Sequence, residues 1–374
     1  MIVTSDWEVT TSNNGNPFDV TNKPVCLGWK EDDGATEVVW DNWKNLSPDL
    51  CTLHVFFNAK FDLHWYKKLG ITLPQRVWCC QLAEFVLEGQ KNRYPSLEQA
   101  AIKYLLGHKL DIIKLEYWDK GIDTDAIPKE LLEEYTKQDC DLTYQIYLKQ
   151  KEQFLQDPQL FRLFRLLCLD LLVLQEMEWN GLMFDEALCK QKEEAVAAEI
   201  QTIQKQLSAV YPDLSINFNS GDQLSAFLYG GPIVEEYKEH IGFYKTGAKA
   251  GEPKYQTKER IHQLPQLVKP LPKTQLKKDG YFKTDEGTLR KLKGTKQVKK
   301  YIELLLRLSE LEKLNGTYYK GIPATNKEMN WPSQELHGQF NQCVAQTGRL
   351  SSSKPNQQNF ADDCLNILVS RYDS

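Results

Sequence analysis

Asp6-Trp7-Glu8 closes a short apolar start, Met1-Ile2-Val3-Thr4-Ser5. In a strand, side chains two apart point the same way, so both carboxylates would share a face. Acids held that close repel unless a cation sits between them, and a divalent metal is the usual answer. A solvated loop with two acids is the plain alternative, and the pair alone does not separate the two. Asn58-Ala59-Lys60-Phe61-Asp62 follows an apolar run and opens a helix. Asn58 and Asp62 can share a helical face or flank its first turn, although an acid there also simply favours the helix dipole. Tyr135-Thr136-Lys137-Gln138-Asp139 lies in a long helical stretch, with Tyr135 and Asp139 one turn apart on one side. Asp141 falls about 200° from Asp139 on the helical wheel and off that side. Tyr135 could equally be a half-buried core residue.

The elements that must position these residues are also readable. Residues 25–29, 37–40 and 53–57 are short apolar runs broken by Asn, Gly and Asp turns, and read as strands. Helices are predicted over 62–69 and 81–87, and again after Ser96, which caps a stretch with Leu97, Ala100, Ala101 and Tyr104 on one face. A long amphipathic helix runs from 129 to about 154. Strands followed by alternating helices predict a mixed α/β domain. Residues 160–179 are strongly helical and end at an Asn180-Gly181 C-cap. Asp185 opens a second long helix to about 210, broken by Tyr211-Pro212. Residues 211–280 read as irregular, with a short helix near 222–228. Thr284-Asp285-Glu286 starts another helix. From Lys299 to Leu314, Ile302, Leu305, Leu306, Leu308, Leu311 and Leu314 form a stripe read as core packing. Strand-like pieces follow at 336–344 and 365–370.

The 374 residues allow two or three domains, and 41% hydrophobic with 26% charged residues is an ordinary globular balance. Net charge is −5, but residues 241–300 hold 16 Lys and Arg against 5 Asp and Glu, a net of +11 that leaves the remainder at −16. A basic segment on an acidic body points to a local polyanion contact. Nine cysteines include the adjacent Cys79-Cys80 and no C-x-x-C pair, which fits reduced thiols in a cytoplasmic protein. No apolar run reaches the length of a membrane span, and the N-terminus has no signal-peptide core, so no membrane partner is expected.

In chain order, D-x-E, N-x-x-x-D and Y-x-x-x-D resemble the three exonuclease motifs of the DEDD superfamily, in its tyrosine-bearing branch. Tyr94-Pro95-Ser96-Leu97-Glu98 through Tyr104-Leu105-Leu106-Gly107 is similar to that family's stretch between the second and third motifs. Cys79-Cys80 departs from an Asp-Thr pair that many members carry, a pair that is not a core metal ligand. The resemblance implies a ribonuclease H-like fold. It also implies hydrolysis at a DNA 3′ end with two Mg²⁺ ions, or Mn²⁺, about 4 Å apart. By motif position Asp6 bridges the metals, Glu8 and Asp139 complete the tighter site, and Asp62 holds the second metal through water. Tyr135 orients the attacking water, since an ordinary phenol pKa near 10 makes it a poor free base. Hard oxygen ligands without a His cluster favour Mg²⁺ or Mn²⁺ over Zn²⁺. Asn58 is placed among the DNA contacts.

Thr347-Gly348-Arg349-Leu350-Ser351-Ser352-Ser353-Lys354-Pro355-Asn356-Gln357-Gln358-Asn359 offers a guanidinium, hydroxyls and amides, suited to phosphate and minor-groove acceptors. A polar loop is the alternative. The string resembles the "TGRLSS-x-x-P-N-x-Q-N" motif of family A DNA polymerases. By that resemblance Arg349 meets the minor-groove face of the primer terminus, and Gln358 and Asn359 lie along the template-primer. Ser351, Ser352 and Asn356 are placed with them. Glu176 to Asp185 resembles the family's lead-in to the thumb, Asn217 to Leu224 its "F-N-x-x-S-x-x-Q-L", and Lys313 to Tyr318 its "K-L-x-x-T-Y", with Lys313 on DNA.

The resemblance spans nearly the whole chain. It implies an exonuclease domain over 1–155, a mainly α-helical thumb region over 156–330, and the start of an α+β palm over 331–374. Helices near 185–210 and 299–314 would form an antiparallel thumb, with a basic tip at about 211–298 that grips the duplex backbone. The short N-terminal start is closest to phage members, which would act in a host cytoplasm. The family's next steps, "D-Y-S-x-x-E", the fingers helix and "H-D-E", are not present, and Asp373 looks like the turn just before them. Nucleotidyl transfer needs two metal-holding carboxylates, so polymerisation by this chain alone is not expected. A second polypeptide with the remaining palm and fingers is the expected partner beside DNA. Two alternatives stand: an exonuclease resembling ribonuclease D that acts on RNA, and a non-catalytic DNA-binding half of a split polymerase. The thumb and the TGRLSS string argue against the first, the full acidic set against the second.

Overall fold

The computed structural model describes residues 1–43, 46, 52–109, 111–247, 249 and 251–371; Asp373 lies outside them. Strand β1 (Ile2–Val9) is the hub of the first sheet. It pairs antiparallel with β2 (Pro24–Glu31), which carries β3 (Glu37–Val39). On its other side it pairs parallel with β4 (Leu53–Phe56), which carries β5 (Arg76–Cys79). The order β3-β2-β1-β4-β5 is the mixed, ribonuclease H-like sheet expected from the sequence. Helices α1 (Ala59–Lys68), α2 (Cys80–Leu87), α3 (Leu97–Lys103), α4 (Ile112–Glu116) and α5 (Lys129–Gln156) follow in order. Ser96 caps α3 through a full capping box with Gln99.

Beyond α5 come α6 (Pro158–Asn180), β6 (Leu182–Phe184), α7 (Glu186–Ser208) and α8 (Gly221–Tyr229). Strands β7 (Gly231–Phe243) and β8 (Pro253–Leu264), then α9 (Glu286–Leu289), α10 (Lys296–Leu314) and α11 (Gly321–Glu328), lead to four short strands. These are β9 (Glu335–Leu336), β10 (Gln339–Asn341), β11 (Ser351–Ser353) and β12 (Leu368–Val369).

Two compact units result, Met1–Glu186 with Ile322–Ser374, and Ala187–Gly321. Compactness groups α6 with the sheet rather than with the helices that follow it, because Phe164, Cys168 and Leu171 bury into the core formed around Trp65, Trp78 and Phe154. In the second unit, Ile302, Leu305, Leu308 and Leu311 of α10 pack with Ile203 and Leu207 of α7 and Phe227 of α8, as the leucine stripe requires. Residues 231–264, read as irregular, instead form a hairpin in which β7 and β8 pair over most of their length. Beyond its base, neither face of the hairpin is buried. Its strands therefore carry no alternation of apolar and polar residues, the signal by which a half-buried strand is read. All eight described cysteines are buried, and none of the eight is in a disulfide. No helix among the described residues is long and apolar enough to cross a membrane.

One residue makes the sheet acid-sensitive. His54 on β4 is fully buried, neither ring nitrogen has a hydrogen-bond partner among the described residues, and burial lowers its pKa to about 4. A base with a depressed folded pKa binds fewer protons folded than unfolded, so stability falls as pH drops below the unfolded value near 6.5. The loss should approach about 3 kcal/mol by pH 4. Urea denaturation of His54→Phe against the unsubstituted chain, at pH 7.5 and near 4.5, checks this: the variant should lose markedly less stability on acidification, and equal losses would refute it.

Candidate active site

The topology places the acids before any side-chain detail. Because β1 and β4 run parallel, the end of β1 that carries Asp6 and Glu8 lies beside the start of α1, which follows β4. Asp62, in the first turn of α1, accepts a hydrogen bond from the Trp7 backbone N–H at 3.2 Å. The β1–β2 register shifts between Glu8 and Val9, the kind of irregularity that re-aims side chains beside functional sites. Trp7 turns into the core against Trp43 and Tyr66, while Asp6 and Glu8 turn toward α5.

Close approach of α5 depends on Gly28, the β2 residue paired with Asp6. A Cβ there would meet Thr136 Cγ2 at 3.0 Å and Cys140 Cβ at 3.3 Å. With that clearance, Tyr135 and Asp139 reach the sheet. One oxygen from each of Asp6, Glu8 and Asp139 lies within 4.8 Å of the other two. Asp141, as the helical wheel requires, faces away and pairs with Lys30 at 2.9 Å and Thr36 at 2.6 Å.

The electrostatics are those of crowded, buried acids. Burial, with the neighbouring Asp139, raises Asp6 to about 7, against the opposing pull of Lys109. Glu8 and Asp62 are pushed well above the ordinary range, first by burial and then by Asp6. Burial also raises Asp139 despite Lys109. Burial and the surrounding carboxylates push the Tyr135 phenol far up, which argues against a base role. Sequence reasoning missed Lys109: its ammonium pairs with Asp139 Oδ2 and lies 4.6 Å from the Tyr135 ring centroid. The preceding loop is fixed by Glu98 of α3, which accepts from the Lys109 N–H at 2.6 Å and meets His108 Nδ1 at 2.9 Å. A lone Lys two residues beyond Gly107 carries no spacing that would mark it.

This donor set fits divalent cations. It offers hard carboxylate oxygens, and Asp139 Oδ1 is buried with no hydrogen-bond partner among the described residues. Asn58 sits exposed at the head of α1 without capping it. With Lys60, Phe61 and Tyr94 it lines a cleft of about 340 Å³ that the acids themselves do not line.

The polymerase-like string forms a separate surface of the same unit. Arg349 is exposed beside Gln90, Asp170 and Gln342. Ser351 and Ser352 lie on β11, and the Ser352 hydroxyl accepts from the Gln357 N–H at 3.1 Å. Asn356 caps the following turn through the Gln358 N–H at 3.2 Å. Gln358 and Asn359 are exposed. Lys313 lies on α10 in the second unit.

Three carboxylates thus converge at one end of a ribonuclease H-like sheet. Residues 31–154 match the 3′-5′ exonuclease family and residues 258–366 match DNA polymerase family A. The chain thus carries one segment similar to 3′-5′ exonucleases and, after it, one similar to family A DNA polymerases. It is 28% identical over 312 residues to DNA polymerase I of Synechocystis sp., covering 82% of this chain and 26% of that protein. DNA polymerase I of Bacillus subtilis is 28% identical over 336 residues, covering 90% of this chain and 31% of the relative. The chain therefore spans about a quarter to a third of these relatives. In fold it matches the POL domain of Pol1 from M. smegmatis, solved in complex with DNA primer-template and dNTP. The TM-score is 0.66 at 18% identity, over 96% of this chain and 52% of that one.

A buried charge cluster holds α1, and with it Asp62, in place. Glu178 of α6 accepts from Lys60 at 2.6 Å, from the Phe340 N–H at 2.5 Å and meets His64 Nε2 at 2.9 Å. Burial would raise its carboxyl, but His64 and Lys60 outweigh burial and hold it below the usual range. Breaking such a pair leaves a buried charge uncompensated, at a cost of about 3 kcal/mol. Glu178→Gln should lower the stability read from urea denaturation by that amount; an unchanged midpoint would remove Glu178 from this role.

Proposed function

We propose that this chain is the 3′→5′ proofreading exonuclease and primer-template-binding portion of a family A DNA-directed DNA polymerase used in DNA replication. The observation that carries the reading is the convergence of Asp6, Glu8 and Asp139 from two elements, with Asp62 bonded to the backbone between the first two. Asp6, Glu8 and Asp139 would hold one divalent ion and Asp62, with Asp6, a second. Bound Mg²⁺ or Mn²⁺ would supply a water acidic enough to attack at neutral pH and neutralise charge on the scissile phosphate.

The chain's own residues do the rest. Tyr135, held protonated by its surroundings, orients water as a donor rather than removing its proton. Lys109 fixes Asp139 and brings a positive charge to where the phosphate arrives. Asn58 lies at the open end of α1, where a single-stranded 3′ end would enter. Arg349, Ser351, Ser352, Asn356, Gln358 and Asn359 would follow the primer-template, as would Lys313 in a thumb built on α7 and α10. Residues 331–374 would begin the palm. The motifs that hold metals for nucleotidyl transfer are not in this sequence, so primer extension would need a second polypeptide or further polymerase sequence. A cytoplasmic setting fits the free thiols.

With Mg²⁺, the purified chain should shorten single-stranded DNA from the 3′ end, faster than RNA, and should not extend a primer. Asp6→Ala should slow the shortening by about a thousandfold, the scale of several kcal/mol of transition-state stabilisation. Metal dependence is checked separately: Mg²⁺ or Mn²⁺ should raise the melting temperature of the unsubstituted chain and not that of Asp6→Ala. Robust dNTP incorporation by this chain alone, or trimming that survives Asp6→Ala, would refute the reading.

A further inference from the structure

The β7–β8 hairpin is anchored only at its base. Ile233 and Leu264 are buried in the core of the second unit. Along the returning arm, every residue from Gly251 to Ile261 is exposed. An isolated two-stranded ribbon is marginally stable in water, and this one leaves large apolar groups uncovered. Ile241, Phe243, Tyr244 and Tyr255 are all exposed near its far end.

Charge divides the ribbon in two. Toward the base, acids and bases answer each other: Glu235 meets His262 at 2.8 Å and Glu239 meets Lys258 at 2.5 Å. At the far end, Lys245, Lys249 and Lys254 form no ion pair among the described residues, and Lys254 lies 5.8 Å from the Tyr244 ring centroid. His240 stacks edge-on with Phe243 and Tyr255, at 5.1 Å and 5.6 Å. Unpaired lysines interleaved with exposed rings match a polyanion that also offers flat apolar faces, which is nucleic acid. A two-stranded ribbon also has the width that a DNA major groove admits.

We propose that the hairpin, residues 231–264, is a DNA-binding arm whose far end seats Lys245, Lys249 and Lys254 on duplex phosphates and its aromatic residues against sugar and base edges. This rests on the primer-template reading above and adds to it a separate element with its own contacts. The ribbon binds without reading sequence, because its charge contacts are to phosphate.

The test measures binding of the full chain to a primer-template duplex by fluorescence anisotropy in EDTA, across a salt series. One variant replaces residues 238–257 by Asn-Gly, keeping Ile233 and Leu264; a second is Lys245→Gln with Lys249→Gln and Lys254→Gln; a third is Phe243→Ala with Tyr244→Ala and Tyr255→Ala. Melting temperatures near that of the unsubstituted chain certify the fold. The lysine variant should lower the slope of log Kd against log salt by about three, one for each phosphate no longer neutralised. The aromatic variant should weaken binding about tenfold with the slope kept, and the excision should show both effects. Unchanged affinity and slope in all three, while the unsubstituted chain binds, would overturn the arm and leave the proposed function standing. Failure of the unsubstituted chain to bind the duplex at all would overturn both. A hairpin that instead captures a protein would show as unchanged DNA binding, and so counts against the proposal.

Discussion

Like-charge repulsion in a buried place is the constraint on which the first unit depends. Asp6, Glu8, Asp62 and Asp139 cannot all ionise at low dielectric without a compensating cation. Their upward shifts state that cost directly. A fold that only needed stability would not collect them. The sheet collects them because β1 is paired on one side to an antiparallel strand and on the other to a parallel one. The antiparallel side brings Gly28 opposite Asp6 and so lets α5 close in. The parallel side brings the first turn of α1 to the same end of the sheet. Lys109 supplies part of the missing charge, paired with Asp139 and pulling on Asp6 and Glu8 as well.

Residues within the stretch that matches DNA polymerase family A pack against α1 and the loop after β1. Glu178 joins α1 to β10 through Lys60, His64 and the Phe340 N–H. Asp19, in the loop after β1, is bound by Ser12, Thr21 and Asn330. Burial would raise its carboxyl, but those hydrogen bonds hold it well below the usual range. Phe18 stacks on His337 at 4.0 Å between ring centroids. Helix α1, the loop after β1 and residues 330–341 are thus tied together within the first unit.

The sequence showed the acids well and their supports badly. Asp6, Glu8, Asp62, Tyr135 and Asp139 were legible because each sits at a spacing that a strand or helix turns into a common face. The strands, the capped α3 and the leucine stripe of α10 were legible for the same reason: one side is buried, so apolar residues recur with the element's period. Lys109 and Glu178 were not, because their partners lie 30 and 114–162 residues away, and no local pattern reports a distant partner. The hairpin escaped by the opposite route. With neither face buried beyond its base, it leaves no periodic trace, and Glu-Glu-Tyr-Lys-Glu-His gives composition without pattern. β5 was also missed, because Arg76-Val77-Trp78-Cys79 runs straight into α2 with no turn residue between them.

The uneven charge of the chain follows from the chemistry proposed for it. A strand of DNA approaching a cluster of carboxylates is repelled until cations occupy the site, so the acids cannot supply affinity for their own substrate. Affinity must then come from elsewhere in the molecule, from groups that hold phosphate without competing for the metals. The +11 of residues 241–300, set against −16 in the rest, meets that requirement. Lysines suit it because they bind phosphate as point charges and impose no base preference. An editing site must act on whatever sequence the primer ends with, so its grip has to be electrostatic and its selectivity has to lie in which 3′ ends come free to reach the acids.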